Sequence, residues 1–303
     1  MITETCALDV EAFSAQLVRR NLLFRSMLKH KLEPSLQTKL DQLYESLHAY
    51  QKVIVAFSGG VDSTFLAEAA QHALGDNALA VTAISDSYPI REMKAAQAIA
   101  KQIGIRLETV NTQELDLEGY ASNPTNRCFF CKTELFDKLH PIAEKYDVGT
   151  IVYGAIPDDV GDHRPGMDAA KKMGIQAPLI DVNLTKAEIR EISKAWELPT
   201  WDKPAFACLS SRFPYGMRIT RELLRQVDAA EQFLYDLGIR QFRVRHHGEL
   251  ARIELEAQEI SRLLSKSVRH DISTHFKTLG YAHVTLDLQG YRSGSLNEGV
   301  TVT

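Results

Sequence analysis

Residues 52–63 read Lys-Val-Ile-Val-Ala-Phe-Ser-Gly-Gly-Val-Asp-Ser: a β-branched run, then a glycine pair flanked by hydroxyl and acidic side chains. The run 52–57 predicts a buried strand, and the pattern over 63–74 predicts a helix. Between them, Ser58-Gly-Gly-Val-Asp-Ser63 forms a strand-to-helix turn. Gly59 and Gly60 let backbone approach an anion closely, and the helix start presents free N–H groups and the positive end of its dipole. Ser58 and Ser63 add hydroxyl donors. No Lys follows a GxxxxG frame, so the loop is not of Walker A type. Asp62 beside a polyphosphate makes sense with a cation between them, which points to Mg²⁺.

On the N-terminal side of this loop, Ser35 is read as the N-cap of a helix carrying Leu36, Leu40, Leu43 and Leu47. Strands are predicted at 78–84, 105–110 and 150–153, with helices at 90–103 and 132–146. This alternation predicts an α/β fold: a doubly wound parallel sheet covered on both faces, with nucleotide at the carboxyl ends of the strands near 82–86. Residues 155–167 are read as a loop. A helix over 185–196 comes next, opening on a capping box of Thr185 and Glu188. After Phe213-Pro-Tyr-Gly216 the character changes: a helix at 221–237, strands at 240–246 and 251–256, a helix near 258–279 and a strand at 282–288 form a smaller α+β domain. The expected division is therefore an N-terminal extension (1–33), a nucleotide domain (34–212) and a C-terminal α+β domain (213–303), with the reaction between the last two.

Bulk properties narrow the function. The 303 residues carry a net charge of -4, so no global basic field draws in nucleic acid. Residues 1–13, MITETCALDVEAF, lack the basic and apolar regions of a signal peptide, and no apolar run approaches the roughly 18 residues of a membrane span. Four cysteines argue for reduced thiols rather than a disulfide framework, and the cytoplasm is the expected compartment. SGGVDS after the VIVAF strand resembles the signature of PP-loop ATP pyrophosphatases. That resemblance implies ATP held by Ser58, Gly59, Gly60, Val61, Asp62 and Ser63, and cleaved to AMP and pyrophosphate to activate an acceptor such as a carboxylate.

The thiols bear on the chemistry after activation. Cys128-Phe-Phe-Cys131 is a C-x-x-C pair just before the predicted helix 132–146, and Cys208 stands alone in Ala207-Cys-Leu-Ser-Ser-Arg212. Their spacing leaves open Zn²⁺, a redox pair with a spare thiol, and an iron–sulfur cluster. Three thiolates on a [4Fe–4S] cube would leave one iron open to carry a sulfide.

Several motifs occur in one order: SGGVDS, Asn126-Arg-Cys-Phe-Phe-Cys-Lys132, Asp158-Asp159 with Gly161-Asp-His-Arg-Pro-Gly166, Leu198-Pro-Thr-Trp-Asp-Lys-Pro-Ala205, Cys208 through Gly216, Arg243-Val-Arg245, and Leu288-Gln-Gly-Tyr-Arg-Ser-Gly-Ser295. Together, from about residue 35 to the C-terminus, they resemble the LarE family of ATP-dependent sulfur transferases. The resemblance implies that the carboxylates of pyridinium-3,5-dicarboxylate mononucleotide are adenylated and converted to thiocarboxylates during assembly of the nickel-pincer nucleotide of lactate racemase. Members with one cysteine at the position of Cys208 sacrifice it and end with dehydroalanine. Members with all three, like this chain, resemble [4Fe–4S] enzymes, which implies Cys128, Cys131 and Cys208 as cluster ligands with sulfide supplied by a donor. Cys6 has no counterpart in that pattern and is read as incidental. Ile156 stands where related sequences often carry Asn.

An anionic substrate on an acidic chain needs local cations. Arg243 and Arg245, two apart on a predicted strand, face one side and suit bidentate phosphate or carboxylate recognition. Arg212 and Arg292 are further candidates, a solvated charged face being the alternative. Glu231 resembles an acidic active-site position that handles protons or binds Mg²⁺. A homo-oligomer is expected. The rival readings are a PP-loop tRNA thiolase, which needs a basic RNA surface, an amide-forming synthetase such as NAD synthetase, which has no use for three thiols, and an ATP-binding module with a structural metal.

Overall fold

The computed structural model describes residues 32–160, 165–263, 265–292 and 294–297. Residues 1–31 of the N-terminal extension, Cys6 among them, and residues 161–164 of the predicted loop lie outside the described residues.

Four parallel strands form the larger sheet, in the order β3-β2-β1-β4. They are β1 (Val53–Ala56), β2 (Ala78–Ile84), β3 (Arg106–Asn111) and β4 (Thr150–Tyr153), with Val53 opposite both Ala78 and Thr150. Side chains alternate across a strand, so each strand feeds two cores. Val53 and Val55 pack with Leu36, Leu40, Leu43 and Leu47 of helix α1 (Pro34–Tyr50) and Phe65 and Leu66 of α2 (Val61–Leu74). Also in that core are Ala96 and Ile99 of α3 (Ile90–Ile103). Ile54, Leu79 and Val81 instead meet Phe136, Leu139 and Ala143 of α4 (Arg127–Lys145). Apolar cover on both faces is the doubly wound arrangement that the strand–helix alternation predicted.

The second sheet joins β5 (Phe242–His247) antiparallel to β6 (Leu250–Leu255), with β7 (His283–Leu286) parallel to β6. One face is closed by Ala230 and Leu234 of a helix over Arg221–Asp236 and by Ile272 and Phe276 of another over Lys266–Thr278. The other face carries Arg243, Arg245 and Glu254, all buried, and looks towards residues 205–211.

Three sequence expectations change. The first helix starts at Pro34 with Glu33 at the cap, not at Ser35, because a fixed φ and a missing N–H suit proline to the first helical position. The helix predicted over 132–146 begins at Arg127, which brings Cys128 and Cys131 into its first turn. The apolar stripe that marks this helix, Phe136, Leu139 and Ala143, starts only later. The helix predicted near 258–279 is two, Ala257–Leu263 and Lys266–Thr278; Ser265 caps the second by accepting the Val268 N–H at 3.3 Å.

Candidate active site

β2 and β3 lie to one side of β1 and β4 to the other, so the loops leaving β1 and β4 diverge at the carboxyl end of the sheet. This switch point is where open α/β sheets bind ligands. Gly59 sits at φ 62°, and a Cβ there would lie 2.9 Å from the Ala96 Cβ. Gly60 caps α2 without a side-chain hydrogen bond. The Ser58 N–H donates to Ser63 Oγ at 3.2 Å, and the two hydroxyls lie 3.0 Å apart. Tyr88 Oη donates to the Ser58 carbonyl at 2.5 Å and Lys203 Nζ to the Gly59 carbonyl at 2.9 Å. These contacts use the loop's carbonyls and leave the N–H groups of the first helical turn for an anion.

Gly154, just after β4, closes the other side. A Cβ there would lie 2.9 Å from the Ser63 nitrogen and 3.0 Å from the Asp62 carbonyl carbon, both backbone atoms that cannot rotate away. Gly154→Ala is therefore expected to push the helix start out of place and weaken ATP binding by at least about tenfold. Calorimetry with Mg·ATP on a folded variant checks this, and undiminished affinity would count against the close approach.

Asp62 is part-buried, and Lys186 Nζ contacts both its oxygens, at 2.8 and 2.6 Å. Burial raises the Asp62 carboxyl above its ordinary range, Lys186 pulls it back, and the nearby Asp159 charge adds to the rise. Asp62 and Asp159 line one cavity of about 470 Å³ with Ser58, Gly60 and Ser63. The pair of carboxylates is oxygen chemistry suited to Mg²⁺ carried in with a polyphosphate. Ile156, by contrast, is buried in the apolar core and contributes its backbone N–H to Asp159 Oδ2 at 3.2 Å, so its side chain has no polar role.

The same cavity is lined by Cys128, Cys131 and Cys208. Burial pushes the Cys131 thiol far up, with Glu114 and Cys208 adding to the shift and Lys132 opposing it. Burial also opposes the charge on Arg127, but Cys208 and Cys128 outweigh it and raise its pKa. The three thiols thus feel one another across the cavity. Among the described residues, no three His, Cys, Asp or Glu side chains close on a single metal ion. Thiols are soft donors of the kind that both zinc and iron–sulfur clusters take.

Most of the predicted arginines are engaged with the protein itself. Arg212 is fully buried: Nε and Nη2 bind Glu231 at 2.7 and 3.0 Å, while Nη1 donates to the carbonyls of Ala207 and Cys208 at 2.7 and 3.1 Å. Its side chain is sealed from solvent. Arg243 donates to the Ala205 carbonyl at 2.7 Å and Arg245 to that of Ser211 at 2.6 Å. Three arginines therefore grip the backbone on either side of Cys208. Arg245 also pairs with Glu254 at 2.8 Å, and burial lowers Arg243 to about 10 with Arg212 contributing. Arg292 is half-buried and lies near the Gly290 carbonyl at 3.4 Å.

Glu231 is also fully buried, and the Val244 N–H and Arg91 join Arg212 around its two oxygens, at 3.0 and 3.2 Å. Burial alone would raise its carboxyl, but Arg212, Arg243 and Arg91 together outweigh this and hold it below the ordinary range. A carboxylate so enclosed serves here as the counter-ion of Arg212 and Arg91. Arg212→Met leaves that buried charge without its main partner and is expected to cost about 3–5 kcal/mol in denaturant unfolding. Because the folded pKa is depressed, the stabilisation is present above the unfolded carboxyl range and is lost as pH falls through the folded value. A variant as stable as the parent at neutral pH would contradict this.

Three residues in or against the site escaped sequence reading. Lys186 touches the loop through Asp62, and Lys132 lines the cavity. Glu114, also on the cavity wall, is buried and accepts from the hydroxyls of Ser85 and of Ser87, the latter at 2.7 Å. Lone lysines and acids carry no spacing signal; only the fold brings them together.

Comparison with known proteins agrees with this geometry. Residues 34–125 match the NAD synthase family. The parallel sheet with its SGGVDS loop makes the chain a PP-loop ATP pyrophosphatase. An uncharacterized protein of Synechocystis sp. is 45% identical over 266 residues, 88% of this chain and 99% of the relative. The pyridinium-3,5-bisthiocarboxylic acid mononucleotide synthase of Lactiplantibacillus plantarum is 34% identical over 268 residues, 88% of this chain and 96% of that enzyme. A glutamine-hydrolyzing GMP synthase polypeptide of Methanococcus maripaludis is 27% identical over 183 residues, covering 56% of this chain and 57% of the relative. The chain belongs to the LarE family of ATP-dependent sulfur transferases, that of the Lactiplantibacillus plantarum synthase. Among the described residues no helix is long and apolar enough to cross a membrane.

Proposed function

We propose that this chain adenylates the carboxylates of pyridinium-3,5-dicarboxylate mononucleotide and converts them to thiocarboxylates in the cytoplasm, within nickel-pincer nucleotide biosynthesis. The observation that carries this reading is a single cavity lined by both the phosphate-binding loop and three thiols.

In the first step a substrate carboxylate oxygen attacks the α-phosphorus of ATP, the α–β bond breaks, and pyrophosphate leaves. The helix N-terminus and the loop N–H groups stabilise the charge shed onto it, and Asp62 with Asp159 would hold the Mg²⁺ that travels with the phosphates. In the second step hydrosulfide attacks the acyl carbon, the bond to AMP breaks, the sulfur loses its proton to solvent, and a second round treats the other carboxylate. A [4Fe–4S] cluster held by Cys128, Cys131 and Cys208 would supply sulfide to this cavity. The Arg212, Arg243 and Arg245 grip fixes the Cys208 backbone, and the remaining donors of Arg243, Arg245 and Arg292 are the proposed cations for the substrate's phosphate and carboxylates. The proposed division of labour is a nucleotide unit over 34–212 and a substrate unit over 213–303.

Anaerobically prepared protein is expected to contain about four iron and four acid-labile sulfide per chain. With ATP, Mg²⁺, the dicarboxylate mononucleotide and sulfide it should yield thiolated mononucleotide, AMP and pyrophosphate. Zinc in place of iron, together with no thiolated product, would sink the reading.

A further inference from the structure

Lys186 opens a helix over Lys186–Ala195, and its N–H is fixed to Asp158 Oδ2 at 3.0 Å. Its ammonium group reaches back to both oxygens of Asp62 in the phosphate-binding loop. That carboxylate is the group from which a Mg²⁺ site would be built, so the lysine and a metal ion cannot use the same oxygens together. The Lys186 side chain is 34% exposed and that of Asp62 21% exposed. Neither side chain is sealed off, so an arriving ligand can reach the pair and exchange for the ammonium. The backbone anchor and the flexible four-carbon stem let the ammonium move without disturbing the helix. Asp159 is the second negative charge felt at Asp62, so a site without metal needs the lysine for charge balance.

We propose that Lys186 is a place-holding cation. In the nucleotide-free enzyme it neutralises Asp62 and keeps divalent metal off the loop. When Mg·ATP arrives, the metal takes Asp62 and the released ammonium turns to the β- and γ-phosphates, the part that leaves as pyrophosphate. The free site is thereby selective for metal that comes with nucleotide. This rests on the ATP reading given above and goes beyond it in assigning one side chain two successive partners. Lys203, which donates to the Gly59 carbonyl and pairs with Glu92 at 2.7 Å, has no such exchange to make.

The test uses Mn²⁺ alone as a paramagnetic stand-in, titrated into wild type and Lys186→Met at fixed pH, with free Mn²⁺ read by electron paramagnetic resonance. Without nucleotide the variant is expected to bind Mn²⁺ at least about fivefold more tightly, and with ATP present to bind Mn·ATP at least about tenfold more weakly. These opposite signs are not produced by a general loss of structure. Adding Asp62→Asn to the variant should remove the gain in Mn²⁺ affinity. Nucleotide-free Mn²⁺ affinity that is unchanged or lower in Lys186→Met overturns the proposal, and so does an unchanged Mn·ATP affinity. A wild-type protein that binds no Mn·ATP at all would instead remove the ATP reading, so the two failures are distinguishable.

Discussion

Asp62→Asn is expected to lower ATP-dependent pyrophosphate release by about 100-fold or more while leaving the fold intact. The side chain keeps its shape and loses only its charge. The part-buried carboxylate stands at the start of α2 and shares a cavity wall with Asp159 and the loop hydroxyls. Its charge is useful there only if a cation bridges it to the phosphates, and an amide is a far weaker ligand for Mg²⁺. Loss of the metal leaves the developing charge on pyrophosphate to the helix N-terminus, the loop N–H groups and the Lys186 ammonium. The measurement is a coupled pyrophosphate assay with saturating ATP, beside thermal unfolding to show that the variant folds. Pyrophosphate release within a few-fold of wild type would take Asp62 out of the metal site and with it the place-holding role of Lys186.

How far the site could be read beforehand depends on how local each residue's role is. The SGGVDS loop was legible because its function is local: a glycine at φ 62°, a helix start and an acid are neighbours in sequence as well as in space. The strands were legible because Val53 and Val55 on one face and Ile54 on the other make a continuous apolar run, the mark of a doubly covered sheet. The capping box of Thr185 and Glu188 is likewise local, with the Thr185 N–H held by Glu188 at 2.8 Å. What could not be read was long range. Lys186 reaches an acid 124 residues away, and Arg212 and Glu231 neutralise each other across 19 residues of chain. On sequence both look like active-site charges; only burial shows that this arginine spends its donors on Glu231 and on the backbone around Cys208. Cys128 and Cys131 were read as lying before a helix because the first turn of α4 lacks the apolar stripe of its later turns.

The largest difference between two outcomes concerns the fate of Cys208. With ATP, Mg²⁺, the dicarboxylate mononucleotide and excess sulfide under anaerobic conditions, the protein is expected to make more than one thiocarboxylate per chain. Intact-mass analysis should then find every Cys208 unaltered. Three thiols share the cavity, and the Cys208 carbonyl and its neighbours are fixed by three arginines, so this side chain is placed as a member of a set. Spending its sulfur would break the set after one event, since dehydroalanine has neither a thiol nor any way back to one within the protein. A sacrificial cysteine predicts the reverse: no more than one sulfur per chain, and a mass loss equal to hydrogen sulfide at position 208. Cys208→Ser separates the alternatives further. It should retain pyrophosphate release, because the phosphate-binding loop is untouched, yet lose iron and sulfur transfer together. Dehydroalanine appearing at position 208 in step with product would overturn the role proposed for the three thiols and leave the family assignment standing.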